Sequence, residues 1–313
     1  MSEIIKSEIL FLYESKYNVP NGDPFTGEQR YDEETKKILI SDVRIKRFIR
    51  TYLEDIENLP IYVSEKTGAG KTDAKGVLTW ILSNKNPNNL KDVGKVLKEQ
   101  IDVRLFGGIS TLEEKEGKKL GYTNTHVQYT GPVQFALLNP SLNKVDLRMH
   151  QNTTHFKSKA ENTQGSIGTT TVVPYAVNQI HGWVNSKSAE ETGMTNEDLL
   201  FMLKALWYGT SGDGSSHSRS KIGQDSLLLL EIQYTQNNKK IYGVDKLITI
   251  VPNKNISSEA IRSTDDFTFN FAELNNAINS DKVIKVRYFT ELENIEEELK
   301  VGHIESKFEK LQF

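Results

Sequence analysis

The segment NGDPFTGEQRYDEETKKILISDVRIKRFIR, residues 21–50, organises the rest of the chain. It begins with an NGDP turn and ends in a basic helix, predicted over about residues 41–57. Apolar residues of this helix recur at i, i+3, i+4 and i+7, which is the spacing of one helix face. They are Ile45, Phe48, Ile49 and Tyr52. The pattern predicts a helix that packs on a core through this face and keeps its cationic side chains outside.

The beginning of the helix combines capping and charge signals. Ser41 can cap the first free backbone N–H groups, and Asp42 suits the positive end of the helix dipole. The same N–H groups attract phosphates. Residues 36–50 contain six basic side chains and a single acidic one. The basic residues are Lys36, Lys37, Arg44, Lys46, Arg47 and Arg50. The segment is therefore either a phosphate-binding surface or a solvated helix face.

Composition predicts a soluble globular protein. The 313 residues are enough for one large domain with insertions or for two smaller domains. No apolar run approaches the roughly 18 residues of a membrane span, and no signal-peptide pattern is present. The absence of cysteine excludes disulfides, thiol catalysis and cysteine-ligated zinc. We expect a cytoplasmic protein with no membrane partner.

The charge is unevenly distributed. The net charge of −3, taken alone, argues against a nucleic-acid-binding protein. However, residues 291–313 contain seven acidic and three basic side chains, whereas residues 36–50 are strongly basic. Any interface with nucleic acid must therefore be local.

The order of the predicted elements indicates an α+β fold. Strands are predicted at 4–17, 127–138, 172–185 and 226–234, and helices at 41–57 and from Thr195 or Asn196 to Gly209. Without the excursions between them, the order is strand, helix, strand, strand, helix, strand, which is that of ferredoxin-like and RNA-recognition-motif-like (RRM-like) domains. Other segments predict a strand at 61–65 and a helix at 88–103. The C-terminal part predicts strands at 247–251 and 283–289, a helix near 271–278 and an acidic helical tail.

The TGAGKT segment, residues 67–72, resembles the end of a phosphate-binding P-loop. Glu65 occupies the position where that pattern requires a glycine, and its carboxylate would repel phosphates. The departure favours a flexible basic loop over a nucleotide site.

Two polar segments contain too few apolar side chains to form part of a core. Residues 148–171 contain almost no core-forming side chains, so we expect them to project between two strands. Residues 211–223, SGDGSSHSRSKIG, form a second loop rich in glycine and serine. Both segments add basic side chains to those of residues 36–50.

Together, these motifs resemble a known family. The NGDP turn followed by SDVRIKRFIR, the stretch QNTTHFKSKAENTQGSIGTTTVVPYAVNQIHGWVN and the segment SHSRSKIGQDSLLLLE occur in the same order in the backbone subunit of type I CRISPR Cascade complexes. The chain most closely resembles the subtype I-B variety of the seventh Cas family, within the RAMP superfamily. The resemblance covers about residues 4–235 well and the tail less distinctively.

The resemblance implies an RRM-like palm with a helical finger insertion and a thumb hairpin. It places palm segments at 1–60, 127–149 and 172–250, the finger at 61–126, the thumb at 150–171, and a palm extension with the acidic tail at 251–313. Copies of such a subunit form a helical filament along CRISPR RNA together with other Cascade subunits, and target DNA pairs with the guide. The resemblance implies a non-catalytic scaffold without cofactor or metal.

The resemblance also implies a set of RNA-binding residues. The turn would contribute Asn21, Asp23 and Arg30, and the helix would contribute Ser41, Arg44, Lys46 and Arg47. The thumb would contribute His155, Lys157, Gln164 and Thr169, and the second polar loop would contribute His217, Arg219 and Lys221. Such residue types suit phosphate and sugar contacts that do not select a sequence. No exposed pair of sheet aromatics for base stacking is evident in the sequence.

Two other functions stay open. Related RAMP subunits of type III complexes cut RNA with an aspartate, and Asp23 or Asp42 would be the candidate here. The alternative for Asp23 is a turn former, and for Asp42 a helix-start charge. A structural filament protein without nucleic acid is the third possibility. The histidines add little, since His150 and His155 lack a nearby carboxylate pair, His181 fits a structural position, and His217 has no assignable partner acid.

Overall fold

The computed structural model describes residues 3–64, 66, 73–86, 88–110, 112–153, 167–211, 221–302 and 305–313. The strands are β1 (Ser7–Asn18), β2 (Tyr31–Asp32), β3 (Lys37–Ser41), β4 (Gly107–Ile109), β5 (Gln128–Thr130), β6 (Val133–Phe135), β7 (Leu138–Pro140), β8 (Arg148–Thr153), β9 (Ile167–Val184), β10 (Gln224–Tyr234), β11 (Thr249–Pro252), β12 (Phe267–Asn270), β13 (Val283–Phe289) and β14 (Phe308–Lys310). The α-helices are α1 (Asp42–Asp55), α2 (Ala74–Asn84), α3 (Val93–Lys98), α4 (Ile101–Phe106), α5 (Glu114–Lys119), α6 (Ser186–Thr192), α7 (Asn196–Thr210), α8 (Ala272–Ile278) and α9 (Glu293–Lys300).

The central sheet confirms the predicted α+β class. Its strands lie in the order β14, β13, β10, β1, β9, β6. The pairs β10–β1, β1–β9 and β9–β6 are all antiparallel. Helix α1 precedes β6 in the chain, and α7 joins β9 to β10. The four predicted strands correspond, in chain order, to β1, β6, β9 and β10. In the sheet they lie side by side in the order β10, β1, β9, β6.

One face of this sheet packs against α1 and α7. The predicted apolar face of α1 is confirmed, and its members lie in the same core as Ile9, Phe11 and Tyr13 of β1. Helix α7 begins with a capping box, in which Thr195 Oγ1 accepts from the Asp198 backbone N–H at 3.1 Å and the Asp198 carboxylate accepts from the Thr195 N–H at 2.9 Å. This burial fixes the orientation of α1, and thus of its basic side chains, relative to β1.

The other face of the sheet is also buried. Alternate residues of β1, including Leu10 and Leu12, pack there with Tyr175 and Tyr234 against residues of the segment 241–299. The predicted acidic tail is part of this layer, because Ile295 and Leu299 of α9 are buried in it. Tyr175 and Tyr234 of this sheet face are therefore enclosed by the protein.

The insertion between α1 and β6 has its own small core. Buried apolar residues of α2, α3 and neighbouring segments form it, among them Leu78, Ile81, Val96 and Tyr122. The predicted strand at 61–65 is wrong, because residues 61–64 form no strand. The predicted single helix at 88–103 is also wrong: it is divided into α3 and α4 near Gln100, where the Ile101 N–H donates to the Pro60 carbonyl at 3.0 Å.

The polar segment before residue 172 contains a hairpin. Strand β8 pairs antiparallel with the first part of β9, from Arg148 opposite Val172 to Thr153 opposite Ile167. The residues between the arms, 154–166, lie outside the described part of the chain, as do the TGAGKT residues 67–72. Among the helices of the described residues, none is both long enough and apolar enough to span a membrane.

Candidate nucleic-acid interface

Three segments of the chain meet at the end of β1: the turn of residues 21–30, the start of α1, and residues 221–223. The Lys16 N–H donates to the Gly223 carbonyl at 2.8 Å, and the Asn18 side-chain amide donates to the Ile222 and Gly223 carbonyls. Gly223 has φ +88°, and a Cβ there would lie 2.6 Å from the Lys16 carbonyl oxygen. Only glycine therefore permits this approach. The result is that Lys221 is held against the end of β1.

The 21–30 turn is organised by Asp23. Its Oδ1 accepts from the Phe25 N–H at 2.9 Å, and its Oδ2 lies 3.2 Å from Arg30 Nη2. The Asp23 backbone N–H and carbonyl also bond to Glu28 and Gly27 across the turn. The alternative interpretation of Asp23 as a turn former is thus confirmed. Its carboxylate is occupied by partners within the chain.

Asn21 and Ser41 are joined to each other. The Asn21 side chain is buried, and its Oδ1 accepts from the Ser41 backbone N–H at 2.6 Å. Ser41 stands at the N-cap position of α1, but its side chain makes no capping hydrogen bond. The predicted side-chain cap is therefore wrong. Asn21 ties the turn to the start of the helix instead, so its amide has a structural role in addition to any contact with RNA.

Arg44 and Tyr13 each have buried polar atoms without a hydrogen-bond partner in the part of the protein that the structure describes. Arg44 Nε and Nη2 and the Tyr13 hydroxyl are buried, and none of them has a hydrogen-bond partner within the described chain. The guanidinium carbon of Arg44 lies 3.9 Å from the Phe48 ring centroid, which holds the group over an aromatic face. Burial lowers the pKa of Arg44 to about 10, and burial raises the pKa of Tyr13 while the Arg44 charge opposes that rise.

Lys221 and Arg47 complete this group. Burial, and secondly the charge of Arg44, lower the pKa of Lys221 to about 8. The charge of exposed Arg47 also lowers the pKa of Arg44. Lys221 Nζ donates to the Val19 carbonyl. We call Tyr13, Arg44, Arg47 and Lys221 the basic cluster. The three cations of the cluster, Arg44, Arg47 and Lys221, repel one another, so a bound anion would stabilise their charged forms.

Other basic side chains of α1 are already paired. Lys46 Nζ lies 3.0 Å from Asp42 Oδ2, and Arg50 Nε lies 2.9 Å from Asp102 Oδ2. Asp102 is buried and also accepts from the backbone N–H groups of Tyr62 and Val63. The interpretation of Asp42 as a charge at the helix start is confirmed by its place in the first turn. Lys46 and Arg50 thus have carboxylate partners within the chain, whereas two buried nitrogens of Arg44 have no partner among the described residues.

The remaining predicted residues lie apart from this cluster or outside the described residues. Thr169 is exposed on β9, opposite Gln151 in the hairpin. His155, Lys157, Gln164, His217 and Arg219 lie outside the described residues. His181 is confirmed in a structural position, with Nε2 2.8 Å from the buried Glu8 carboxylate. Among the described residues, no group of three or more His, Asp or Glu side chains could hold a metal ion.

Tyr13 is the member of the cluster that the sequence did not suggest. It lies in the apolar strand predicted at residues 4–17. A signal was available, because a tyrosine in a buried strand has a hydroxyl that needs a partner. Buried guanidinium and ammonium donors beside a phenolic hydroxyl suit a phosphate or another oxyanion. The fold and the cluster together define an α+β protein with a candidate anion-binding surface.

Comparison with known proteins narrows this class. The family model described as CRISPR-associated protein Cas7 matches residues 5–272. A protein of Haloferax volcanii described as CRISPR-associated protein Cas7 is 30% identical over 288 residues, covering 88% of this chain and 83% of the relative. The chain belongs to the CRISPR-associated protein Cas7 family. The resemblance to the seventh Cas family is therefore confirmed.

Solved structures share the fold. A chain of a structure titled CRISPR RNA-guided surveillance complex, pre-nicking, matches with a TM-score of 0.55 and 12% identity, covering 98% of this chain and 96% of the other. A chain of a second structure, titled CRISPR RNA-guided surveillance complex, matches with a TM-score of 0.52 and 12% identity, covering 98% and 95%. These likenesses support the architecture described above.

Proposed function

We propose that this chain binds CRISPR RNA as the backbone subunit of a type I Cascade complex, of subtype I-B, in the cytoplasm. The observation behind the proposal is the basic cluster of a Cas7-family chain, in which buried donors of Arg44 have no acceptor within the described residues. A donor without a partner costs free energy in the folded protein, and an RNA phosphate would supply the acceptor.

The chemistry of the cluster suits a guide of any sequence. Arg44, Arg47 and Lys221 are hydrogen-bond donors for phosphate oxygens, and they offer no pattern that selects a base. In our proposal, Asp23 and Asn21 shape the adjoining turn while Arg30 faces the RNA beside it. Neutralising several phosphates makes such binding strongly dependent on salt.

The architecture supports an assignment of parts. The sheet with α1 and α7 would be the RRM-like palm, the α2–α5 insertion the finger, and the β8–β9 hairpin the thumb. In this arrangement, copies of the chain and other Cascade subunits assemble along one RNA, and target DNA pairs with the guide bases. Deletion of residues 153–169 should then disturb assembly on RNA more than folding of the monomer.

The contacts of the two aspartates considered for catalysis favour a non-catalytic scaffold subunit over a nuclease. The Asp23 carboxylate is held by turn N–H groups and by Arg30, and Asp42 pairs with Lys46. Each has a structural task that explains its presence. We propose a non-catalytic subunit, and an Asp23→Asn variant that retained full target interference would support it.

The experiment that tests the proposal is co-expression with a CRISPR array, followed by size-exclusion chromatography with absorbance at 260 and 280 nm and sequencing of bound RNA. Repeat-and-spacer RNA in a large particle is the expected result. Binding of the purified protein to RNA should weaken by orders of magnitude between low and moderate salt. Lys254→Ala, at an exposed lysine beyond β11, is the control that should leave affinity unchanged. An RNA-free particle of the same size would support a structural filament instead.

A further inference from the structure

Two aromatic side chains near the segments that carry the basic cluster are largely exposed. Phe25, at the tip of the 21–30 turn, is 96% exposed, and Tyr17, near the end of β1, is 68% exposed. The sequence shows no evident stacking pair on the sheet face, where RNA-recognition domains commonly have one. On that face Tyr175 and Tyr234 are buried against residues 241–299, and the partly exposed Trp183 is 38% exposed, well below Tyr17 and Phe25.

The turn holds Phe25 in place although the ring packs on nothing. The Phe25 and Thr26 N–H groups donate to Asp23 Oδ1, at 2.9 and 3.4 Å, and the Gly27 N–H donates to the Asp23 carbonyl at 2.8 Å. The base of the turn is closed by the buried Gln29 side chain, which accepts from the Asn21 N–H at 2.9 Å. The exposed ring thus projects from a turn whose backbone is held by hydrogen bonds, so binding a ligand would not require the turn itself to become ordered.

Tyr17 breaks the pattern of β1. The strand is buried up to Ser15, and Tyr17 has φ +47°, in the left-handed region that bulky residues rarely adopt. Both flanking residues are bonded to the segment that follows Lys221: Lys16 through its N–H and Asn18 through its side-chain amide. The backbone at Tyr17 is therefore fixed beside the cluster, and an unusual conformation at such a place is a reason to look for a function.

Both rings are linked to the cluster along the chain. Lys221 Nζ donates to the Val19 carbonyl, two residues after Tyr17. Asn21, four residues before Phe25, accepts a hydrogen bond from the Ser41 backbone N–H directly before α1. The two aromatics therefore flank the stretch 19–21, which contacts both Lys221 and the start of α1.

We propose that Tyr17 and Phe25 stack on bases of the RNA strand whose phosphates the basic cluster binds. The inference rests on the proposed function and adds a contact to the bases. Exposed aromatics next to a cationic groove are the usual means of holding a single strand without selecting its sequence, because every base has a π-face. Tyr17 and Phe25 would limit the freedom of the guide where it passes the end of β1.

The test compares two RNA probes at one salt concentration: an oligouridylate and an abasic ribose-phosphate oligomer of the same length. The wild-type protein should prefer the oligouridylate. Phe25→Ala and Tyr17→Ala should each weaken its binding by roughly fivefold to a hundredfold and leave affinity for the abasic oligomer unchanged. Phe25→Leu should behave like Phe25→Ala, because leucine is apolar but not planar, and Tyr17→Phe should behave like wild type. Tyr242→Ala, at a tyrosine that is 86% exposed elsewhere, is the matched control and should change nothing.

Several outcomes would overturn the inference. Equal losses on both probes, or no loss on either, would show that the rings do not stack on bases. Variants that changed only self-association in sedimentation without RNA would assign the rings to a contact between copies. Wild-type protein that bound both probes equally would overturn stacking and leave phosphate binding intact, whereas failure to bind either probe would overturn the proposed function itself.

Discussion

Arg44 and Arg50 lie on the same helix and differ in what surrounds them. Arg50 donates a hydrogen bond to the buried carboxylate of Asp102, which also accepts hydrogen bonds from two backbone N–H groups. The charge of Arg50 is therefore balanced within the protein. Arg44 lies over the Phe48 ring, and two of its nitrogens have no partner in the described residues. The charge of Arg47 lowers the pKa of Arg44, and the charge of Arg44 lowers the pKa of Lys221, so Arg44 lies among charges of the same sign.

The difference shows that a basic helix is not one uniform surface. A cation with a buried carboxylate partner holds elements together, and here Arg50 fastens α1 to the insertion. A cation among like charges destabilises the free protein and gains free energy when an anion arrives. Stability and RNA affinity should therefore respond to different residues of the same helix.

The largest expected effect is on stability, at Asp102. Asp102→Ala removes the partner of Arg50 and leaves the Tyr62 and Val63 N–H groups without their acceptor. The free energy of unfolding should fall by about 3–5 kcal/mol, as it does when one member of a buried ion pair is removed. Urea denaturation measures this loss. Asp146→Ala, which breaks an exposed pair with Lys36, is the control and should leave the free energy of unfolding nearly unchanged. Equal losses in the two variants would contradict the structural role of the Arg50 pair.

Arg44→Ala should have the opposite profile. Loss of charged hydrogen bonds to phosphate should reduce RNA affinity by roughly tenfold to a hundredfold, for all guide sequences alike. The free energy of unfolding should change by less than about 1 kcal/mol, because the lost contact with Phe48 is offset by removal of a buried unpaired charge. Fluorescence anisotropy and urea denaturation on the same preparation measure both quantities. A variant that lost stability and kept its RNA affinity would remove the distinction between Arg44 and Arg50.

The pH dependence of RNA binding should sharpen the comparison through Lys221. Its pKa in the free protein is about 8, so it is charged below that pH and loses its charge above it. A phosphate raises the pKa of a neighbouring ammonium group, so above pH 8 binding must also take up a proton. Affinity should be level below pH 8 and should fall above it by up to about tenfold per pH unit. Lys221→Arg should abolish this fall, since a guanidinium stays protonated. An unchanged fall in Lys221→Arg would assign it to another group.

Much of the fold was accessible from the sequence. Local sequence patterns predict its main elements. Apolar runs indicate that β1 and β10 are buried, and periodic apolar residues indicate the buried faces of α1 and α7. Thr195, directly before α7, indicates where that helix begins. The break at Gln100 was not accessible, because it depends on a hydrogen bond to Pro60, forty residues earlier. The burial of the second sheet face depends on residues 241–299 in the same way.

The candidate site shows the same limit. Composition selected the basic residues of α1 as candidates, but it could not distinguish Arg44 from Arg50, because Asp102 is distant in sequence. Asn21 and Asp23 were recognised as a turn, whereas the bond from Asn21 to Ser41 required the folded chain. Tyr13 stands in an apolar and aromatic run, which predicts a buried strand and does not show that its hydroxyl lies beside Arg44. Pairing between distant residues decides which cations remain available, and local patterns do not report it.

Lys46 provides the smallest expected effect and the most direct test of this distinction, because the resemblance assigns it to RNA while the structure pairs it with Asp42. The pair is an i,i+4 pair at the start of α1, so Lys46→Ala should lower the free energy of unfolding by only about 0.3–0.5 kcal/mol. RNA affinity should fall by less than about threefold, well below the loss in Arg44→Ala, since a balanced charge gains less from a phosphate. Anisotropy titrations of both variants at matched salt measure the ratio, with Lys254→Ala as the control. A loss in Lys46→Ala equal to that in Arg44→Ala would mean that Lys46 leaves Asp42 for the RNA, and that pairing in the free protein does not identify the residues that bind.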